Sequence, residues 1–335
     1  ARGLSWHTVL AQGARVDSVT HDDVVRVART YFNDDSLVVK KAFGRYPKER
    51  VAQPGYQPVK ARHAGEQSDY AKQLETQPVD SVPPKLVDFK CDVAERSLCP
   101  LVRLYGVKNP DNEIFSLQLC YRRGSATDHR IEILGDYLNR VGTTSMSRQQ
   151  MGRKLQQLGA TLDVSADAGN VKVTLMGFDS QFVPALRLLR SFLDSAATDN
   201  AKLRVCCKEL RLNRRSFLKE NANIADAIYQ KVALGDSSPY LSRLTVKEAR
   251  RLKASDLVNL FREVQRSQLD IIYTGTLPVD SVAHLAATTL PLDKVCRPWR
   301  PVLHPLQSVD VPTVYVYDNS RARQTIVGSY QQVGA

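Results

Sequence analysis

Residues 18–42 and 251–275 carry one pattern twice, without a gap, at an offset of 233 residues from Asp23 to Asp256. Val24 falls on Leu257, Val25 on Val258, Val27 on Leu260 and Arg29 on Arg262, and Val38-Val39 falls on Ile271-Ile272. Self-similarity at a fixed period signals a repeated structural unit, which constrains the fold before local propensities are weighed. Each copy reads as a capped helix followed by a short apolar strand. Thr20 or His21 precedes the first helix, and Ser255 is the expected N-cap of the second. A second match sets VRLYGVKN at 102–109 beside PTVYVYDN at 312–319, with Tyr105 over Tyr315 and Asn109 over Asn319.

These matches predict a layout. The end of a preceding module occupies 1–44, an extended linker 45–88, a complete module 89–278, a second linker 279–310, and the start of a following module 311–335. The chain is therefore expected to be a piece of a larger, internally repeated protein. The first linker rests on Pro47, Pro54, Pro58, Pro78, Pro83 and Pro84 with little periodicity, and the second ends in Pro298, Pro301 and Pro305.

Within 89–278, Phe115, Leu117, Leu119 and Tyr121 alternate along a strand. Helical spacing follows at 128–141 and at 147–158, the latter with Met151, Leu155 and Leu158 on one face and Gly159 at its end. Two strands carry Leu162, Val164, Ala166 and then Val171, Val173, Leu175. Asp179 is expected to cap a helix bearing Phe182, Leu186, Leu189 and Leu193, before helices at about 200–220 and 223–234 and the repeated helix and strand. Hairpin strands with helices grouped between them give an α+β fold, a mostly antiparallel sheet packed with helices.

The formal net charge of +12 raises nucleic acid or an acidic surface as a partner. The densest basic group is Lys202, Arg204, Lys208, Arg211, Arg215 and Lys219, a stripe read as the solvated face of a helix opposite Leu203, Cys207, Leu210 and Phe217. No aromatic and glycine-rich RNA-binding signature accompanies it, so nucleic acid is not expected. No apolar run reaches bilayer-spanning length, so no transmembrane segment is expected. The six cysteines form no CxxC pair and are read as buried free thiols. No two of the six histidines lie within five positions, which removes a helical His pair, and nothing reads as a nucleophile elbow. Asp22-Asp23 and Asp34-Asp35 are read as helix-end or turn charges.

A longer pattern runs through Asn109-Pro110-Asp111-Asn112-Glu113-Ile114-Phe115-Ser116-Leu117, Arg122-Arg123-Gly124-Ser125, Tyr137-Leu138 and Val141-Gly142-Thr143. It continues in Leu155-Gln156-Gln157-Leu158-Gly159-Ala160, Leu162-Asp163-Val164-Ser165-Ala166, Val173-Thr174-Leu175-Met176-Gly177, Phe182-Val183-Pro184-Ala185-Leu186 and Asp236-Ser237-Ser238-Pro239-Tyr240. This order resembles the homology domain of the M16 (pitrilysin/insulinase) zinc metallopeptidases over about residues 85–280. The resemblance implies a clamshell of two halves, each of two such domains, with an inverted HxxEH motif in only one half. Two His on one helix face bind zinc, the Glu handles the proton, and a downstream Glu completes the site.

Counting back from Gly142-Thr143, the motif positions here hold Ile133 and Tyr137 in place of the two His and Asp136 in place of the Glu. Glu209 lies on the helix that would supply the third ligand and is read as a surface charge. The resemblance therefore implies a catalytically inactive half with no zinc or other cofactor in this chain. That half would close the substrate chamber and contact peptide, while the catalytic half of the same protein, its partner, supplies the zinc. A non-catalytic structural or assembly subunit of the same fold is the alternative. A dimer stays open, and resemblance to bacterial two-half members points to the cell envelope or periplasm.

Overall fold

A computed structural model describes residues 6–32, 37–39, 44, 55, 65–78, 86–304, 306–307 and 313–318, and the chain divides into two units, Ala1–Val82 and Pro83–Ala335. In the first unit, short helices Trp6–Leu10 and Gln12–Asp17 precede the helix His21–Tyr31. Thr20 caps that helix: its Oγ1 accepts from the Asp23 N–H at 3.2 Å, while the Thr20 N–H donates to Asp23 Oδ2 at 3.1 Å. Its apolar positions Val24 and Val27 are exposed. Residues 37–39, expected in a strand, belong to neither helix nor strand. Of the expected linker 45–88, only 55, 65–78 and 86–88 are described, and they include a helix, Asp69–Glu75, capped by Ser68.

In the second unit the alternation read along 115–121 becomes strand β3 (Ile114–Tyr121), whose Phe115, Leu117, Leu119 and Tyr121 are buried under helices. The other strands are β1 (Ala94–Cys99), β2 (Val102–Lys108), β4 (Thr161–Ala166), β5 (Val171–Phe178) and β6 (Leu269–Gly275). They form a six-stranded sheet in the order β1-β2-β6-β3-β5-β4. Every pairing is antiparallel except β2 with β6. β6, last in sequence, is inserted between β2 and β3, with Leu117 facing Tyr273 on one side and Leu175 on the other.

Helices cover one face of this sheet. Phe182 opens the helix Phe182–Ser195 and meets Phe115 edge-on at 4.9 Å and Tyr273 at 5.8 Å. Gly159 sits at φ +58 just past the helix Arg148–Gln157, the left-handed position where a side chain is strained. The region expected as one helix at 128–141 is a 3-10 turn, His129–Ile133, followed by a short helix, Leu134–Leu138.

The repeated helix spans Ala254–Val264, the same bounds as His21–Tyr31 shifted by the repeat offset, but here Leu257, Val258 and Leu260 are buried. Ser255 is not its cap. The chain turns at Lys253, whose N–H donates to Asp256 Oδ2 at 2.8 Å, and the side chain of Asn200 accepts from the Ala254 N–H at 2.9 Å. Asp179 does not cap a helix either. Its carboxylate is buried and accepts from the Thr276 N–H and hydroxyl at 3.2 and 2.9 Å, and from the Tyr273 hydroxyl at 3.4 Å.

The segment expected as the linker 279–310 also differs from its reading. It starts with the helix Val279–Thr289, in which Val282 and Ala286 are buried. A Cβ at Gly106 would lie 2.6 Å from Val279, so glycine lets this helix sit directly on β2. The chain then returns alongside 266–268, with the Cys296 N–H donating to Arg266 O and the Gln268 N–H to Arg297 O. The prolines from Pro298 onward stop regular structure but do not prevent the preceding residues from packing. Of 311–335, only 313–318 are described, and they form no strand.

Two outcomes follow from this packing. Leu117→Ala, at the fully buried centre of the sheet, should cost about 2–5 kcal/mol, read as a lower urea midpoint with an unchanged slope. The second concerns acid. Partial burial raises Asp128 and Asp194, but hydrogen bonds from Arg130, and from Lys294 and Arg190, outweigh it and hold both carboxyls below their ordinary value. Their stabilisation is therefore full above the unfolded carboxylate pKa of about 3.9 and is lost as pH falls through the depressed folded values. Melting temperature should be flat near neutrality and fall below about pH 4, and Asp128→Asn should lower it at neutral pH while making the acid decline shallower.

Candidate functional site

Residues four apart on a helix share a face, so a metal-binding pair at 133 and 137 would point the same way. Ile133 and Tyr137 do share a face, and that face is turned into the core, with Ile133 2% and Tyr137 0% exposed. Asp136, next to Tyr137, lies about 100° around the helix and is exposed.

The Tyr137 hydroxyl has two partners. It donates to Ala197 O at 2.9 Å and accepts from the Asp199 N–H at 2.9 Å. Asp199 Oδ1 in turn accepts from the Ala201 and Lys202 N–H groups and so caps the helix Asn200–Phe217. Tyr137 thus ties its own helix to the turn that opens the helix Asn200–Phe217, and burial raises its phenol so that it stays neutral. Glu209, on the longer helix, accepts from Arg140 Nη2 at 2.5 Å. Beside them, burial pushes the Cys206 thiol up to about 11, with Arg140 opposing that effect.

These residues do not fit a zinc ion. Ile133 offers no donor atom, the buried Tyr137 hydroxyl is committed to backbone partners, and the Glu209 carboxylate faces a guanidinium. Among the described residues, no group of three His, Cys, Asp or Glu side chains is placed to hold a metal. His7, His21, His129, His284 and His304 sit on separate elements, and His63 lies outside the described residues. The thiols divide: Cys120, Cys206 and Cys207 are buried, Cys99 is half-buried, and Cys91 and Cys296 are exposed, against the expectation that all are buried.

The surface that sequence reasoning left unnamed is the sheet face opposite the helices. Tyr105, Ile272, Gln118 and Thr174 pair across four adjacent strands in one row, all at least partly exposed, with Gln118 Nε2 donating to Thr174 Oγ1 at 3.3 Å. The signal was present in the period-two pattern. Ser116 and Gln118 alternate with the buried residues of β3, as Lys172, Thr174 and Met176 do in β5. Tyr137→Phe tests the motif helix. It keeps the packing but strips the Asp199 N–H and Ala197 O of their shared partner, and should cost about 1–3 kcal/mol in denaturant unfolding.

No protein-family model and no curated protein matches the sequence. Solved structures do. A peptidase M16 inactive domain from Pseudomonas fluorescens superposes with a TM-score of 0.52 at 16% identity, covering 64% of this chain and 53% of that one. A conserved protein from Enterococcus faecalis gives 0.52 at 14%, covering 64% and 55%. The periplasmic protease PqqL from Escherichia coli gives 0.51 at 11%, covering 72% and 30%. The chain thus spans about half, or less, of the length of each of these three structures. Its sheet order and helical layer are accordingly those of the M16 peptidase fold, in the form also found in an inactive domain of that family.

Proposed function

We propose that this chain is the non-catalytic half of a two-half zinc peptidase, which closes the chamber and contacts an extended peptide while the other half supplies the HxxEH chemistry. The observation that carries this reading is the motif helix, where the metal-facing positions hold a buried isoleucine and a tyrosine tied to backbone. The open sheet face gives the half a surface on which peptide can lie. Its row Tyr105, Ile272, Gln118 and Thr174 mixes apolar and hydrogen-bonding groups in the manner of a tolerant substrate wall. The structure of the protease FusC in complex with Arabidopsis ferredoxin shares the fold, at 11% identity and a TM-score of 0.52, and is in keeping with a protein substrate. On this reading residues 1–44 end a preceding module and 311–335 begin a following one. Zinc would sit in the partner half, and self-association is no requirement.

The test uses the purified chain with an internally quenched peptide library and zinc quantified by elemental analysis. The expected result is no chelator-sensitive cleavage and no stoichiometric zinc, together with peptide binding that Ile272→Asp weakens about ten-fold under conditions where circular dichroism shows the variant folded. Stoichiometric zinc with chelator-sensitive cleavage by this chain alone would overturn the reading. Peptide binding indifferent to Ile272→Asp would remove the sheet face from it.

A further inference from the structure

The basic stripe read from the sequence as a solvated helix face lines one wall of a groove. Arg204, Lys208, Arg211 and Arg215 project from the helix Asn200–Phe217, and Arg250 and Lys253 project from the opposite side, around a cavity of about 960 Å3. Among the described residues, no carboxylate lines it. Its floor is apolar, built from Leu203, Cys207, Ala249 and Leu252, with the exposed Leu212 on the helix wall. None of the six cations is in an ion pair among the described residues, although other charges on the same helix are matched, Arg214 with Glu132 at 2.5 Å and Glu209 with Arg140 at 2.5 Å. The helix pairs its charges where they support the fold and leaves this row unpaired. Six unneutralised cations around one concavity repel each other, and an anionic occupant relieves that repulsion.

We propose that this groove is a docking site for an acidic peptide segment of a partner protein. The four helix cations are spread over eleven helical steps, about 16 Å at 1.5 Å per step, which matches some five residues of extended peptide at about 3.3 Å each. Carboxylates of such a segment reach the two cationic walls, and an apolar side chain between them settles against Leu212 and Leu252, which are exposed and half-buried. The shape and lining disfavour other polyanions. Single-stranded nucleic acid wants aromatic stacking platforms, and no aromatic side chain lines the groove. A bilayer is flat, and the apolar floor, with Leu203 and Ala249 buried, is recessed below the cationic rims. The proposal is independent of whether the chain belongs to a peptidase, since it concerns a surface remote in sequence from β2, β3, β5 and β6.

The experiment measures fluorescence anisotropy of a labelled peptide of about twelve residues, rich in Glu with two Leu, against the full chain. Binding should weaken steeply between about 50 and 200 mM salt. The pair Arg204→Glu and Arg211→Glu should weaken it at least about ten-fold, with circular dichroism unchanged because both side chains are exposed. The pair Arg153→Glu and Lys154→Glu, exposed on the helix Arg148–Gln157, makes the same change in net charge and should leave binding nearly intact. Equal weakening by both pairs would reduce the effect to overall charge and overturn the proposal. So would tighter, groove-dependent binding of oligothymidylate or of phosphatidylserine vesicles, or a dimer of the chain that the groove variant alone abolishes.

Discussion

The second unit depends on one strand being delivered into a gap. β2 and β3 follow each other in sequence, yet they are not neighbours, because β6 lies between them and supplies both with hydrogen bonds. Its Leu269, Ile271 and Tyr273 are buried, and they face Val102, Leu104, Leu117 and Leu119 along both flanks. Everything between β5 and β6, including the long helices, serves to bring this strand back to the middle. The buried Asp270, paired with Arg122 at 2.5 Å, and the Asp179 carboxylate, bonded to Tyr273 and Thr276, then fix the two ends of the inserted strand. A sheet closed in this way pairs its interior strands on both sides and leaves only β1 and β4 as edges.

How much of this is legible in the sequence depends on whether a pattern is local. The strands at 115–121 and 171–175 announce themselves through alternation, and the helix Ala254–Val264 through its repeat, because burial of one face imposes a period. The cap of that helix is not legible, since one of its two acceptors is the Asn200 side chain from 54 residues away. The role of Asp179 is hidden for the same reason: its partners, Tyr273 and Thr276, lie 94 and 97 residues further on, in the inserted strand and just after it. The helix Val279–Thr289 is hard to read because prolines follow it closely, while the feature that seats it is the missing side chain of Gly106, far away in sequence.

The candidate site was legible in a different way. Ile133, Asp136 and Tyr137 can be assigned to their positions by alignment with a motif, and Ile133 alone removes one ligand. What the residues do instead needs coordinates. That the Tyr137 hydroxyl would be shared between Ala197 and Asp199, and that Glu209 would face Arg140, depends on the distance between two helices that are 60 or more residues apart in sequence. The cationic groove is similar. Its helix wall shows in the spacing of Arg204, Lys208, Arg211 and Arg215, but the opposing Arg250 and Lys253 come from a separate turn.

The buried helix Leu134–Leu138 has a consequence for engineering. Histidines installed at 133 and 137 would enter a packed interior, where imidazole is poorly solvated, has lost its ready access to an ion, and displaces the tyrosine bonds to the turn that opens the helix Asn200–Phe217. Each substitution alone would weaken the fold before any metal could repay it, and no metal could arrive until a cavity had also been opened. The present core is therefore one into which metal chemistry could be introduced only across a valley of instability, and not through single steps that are each tolerated.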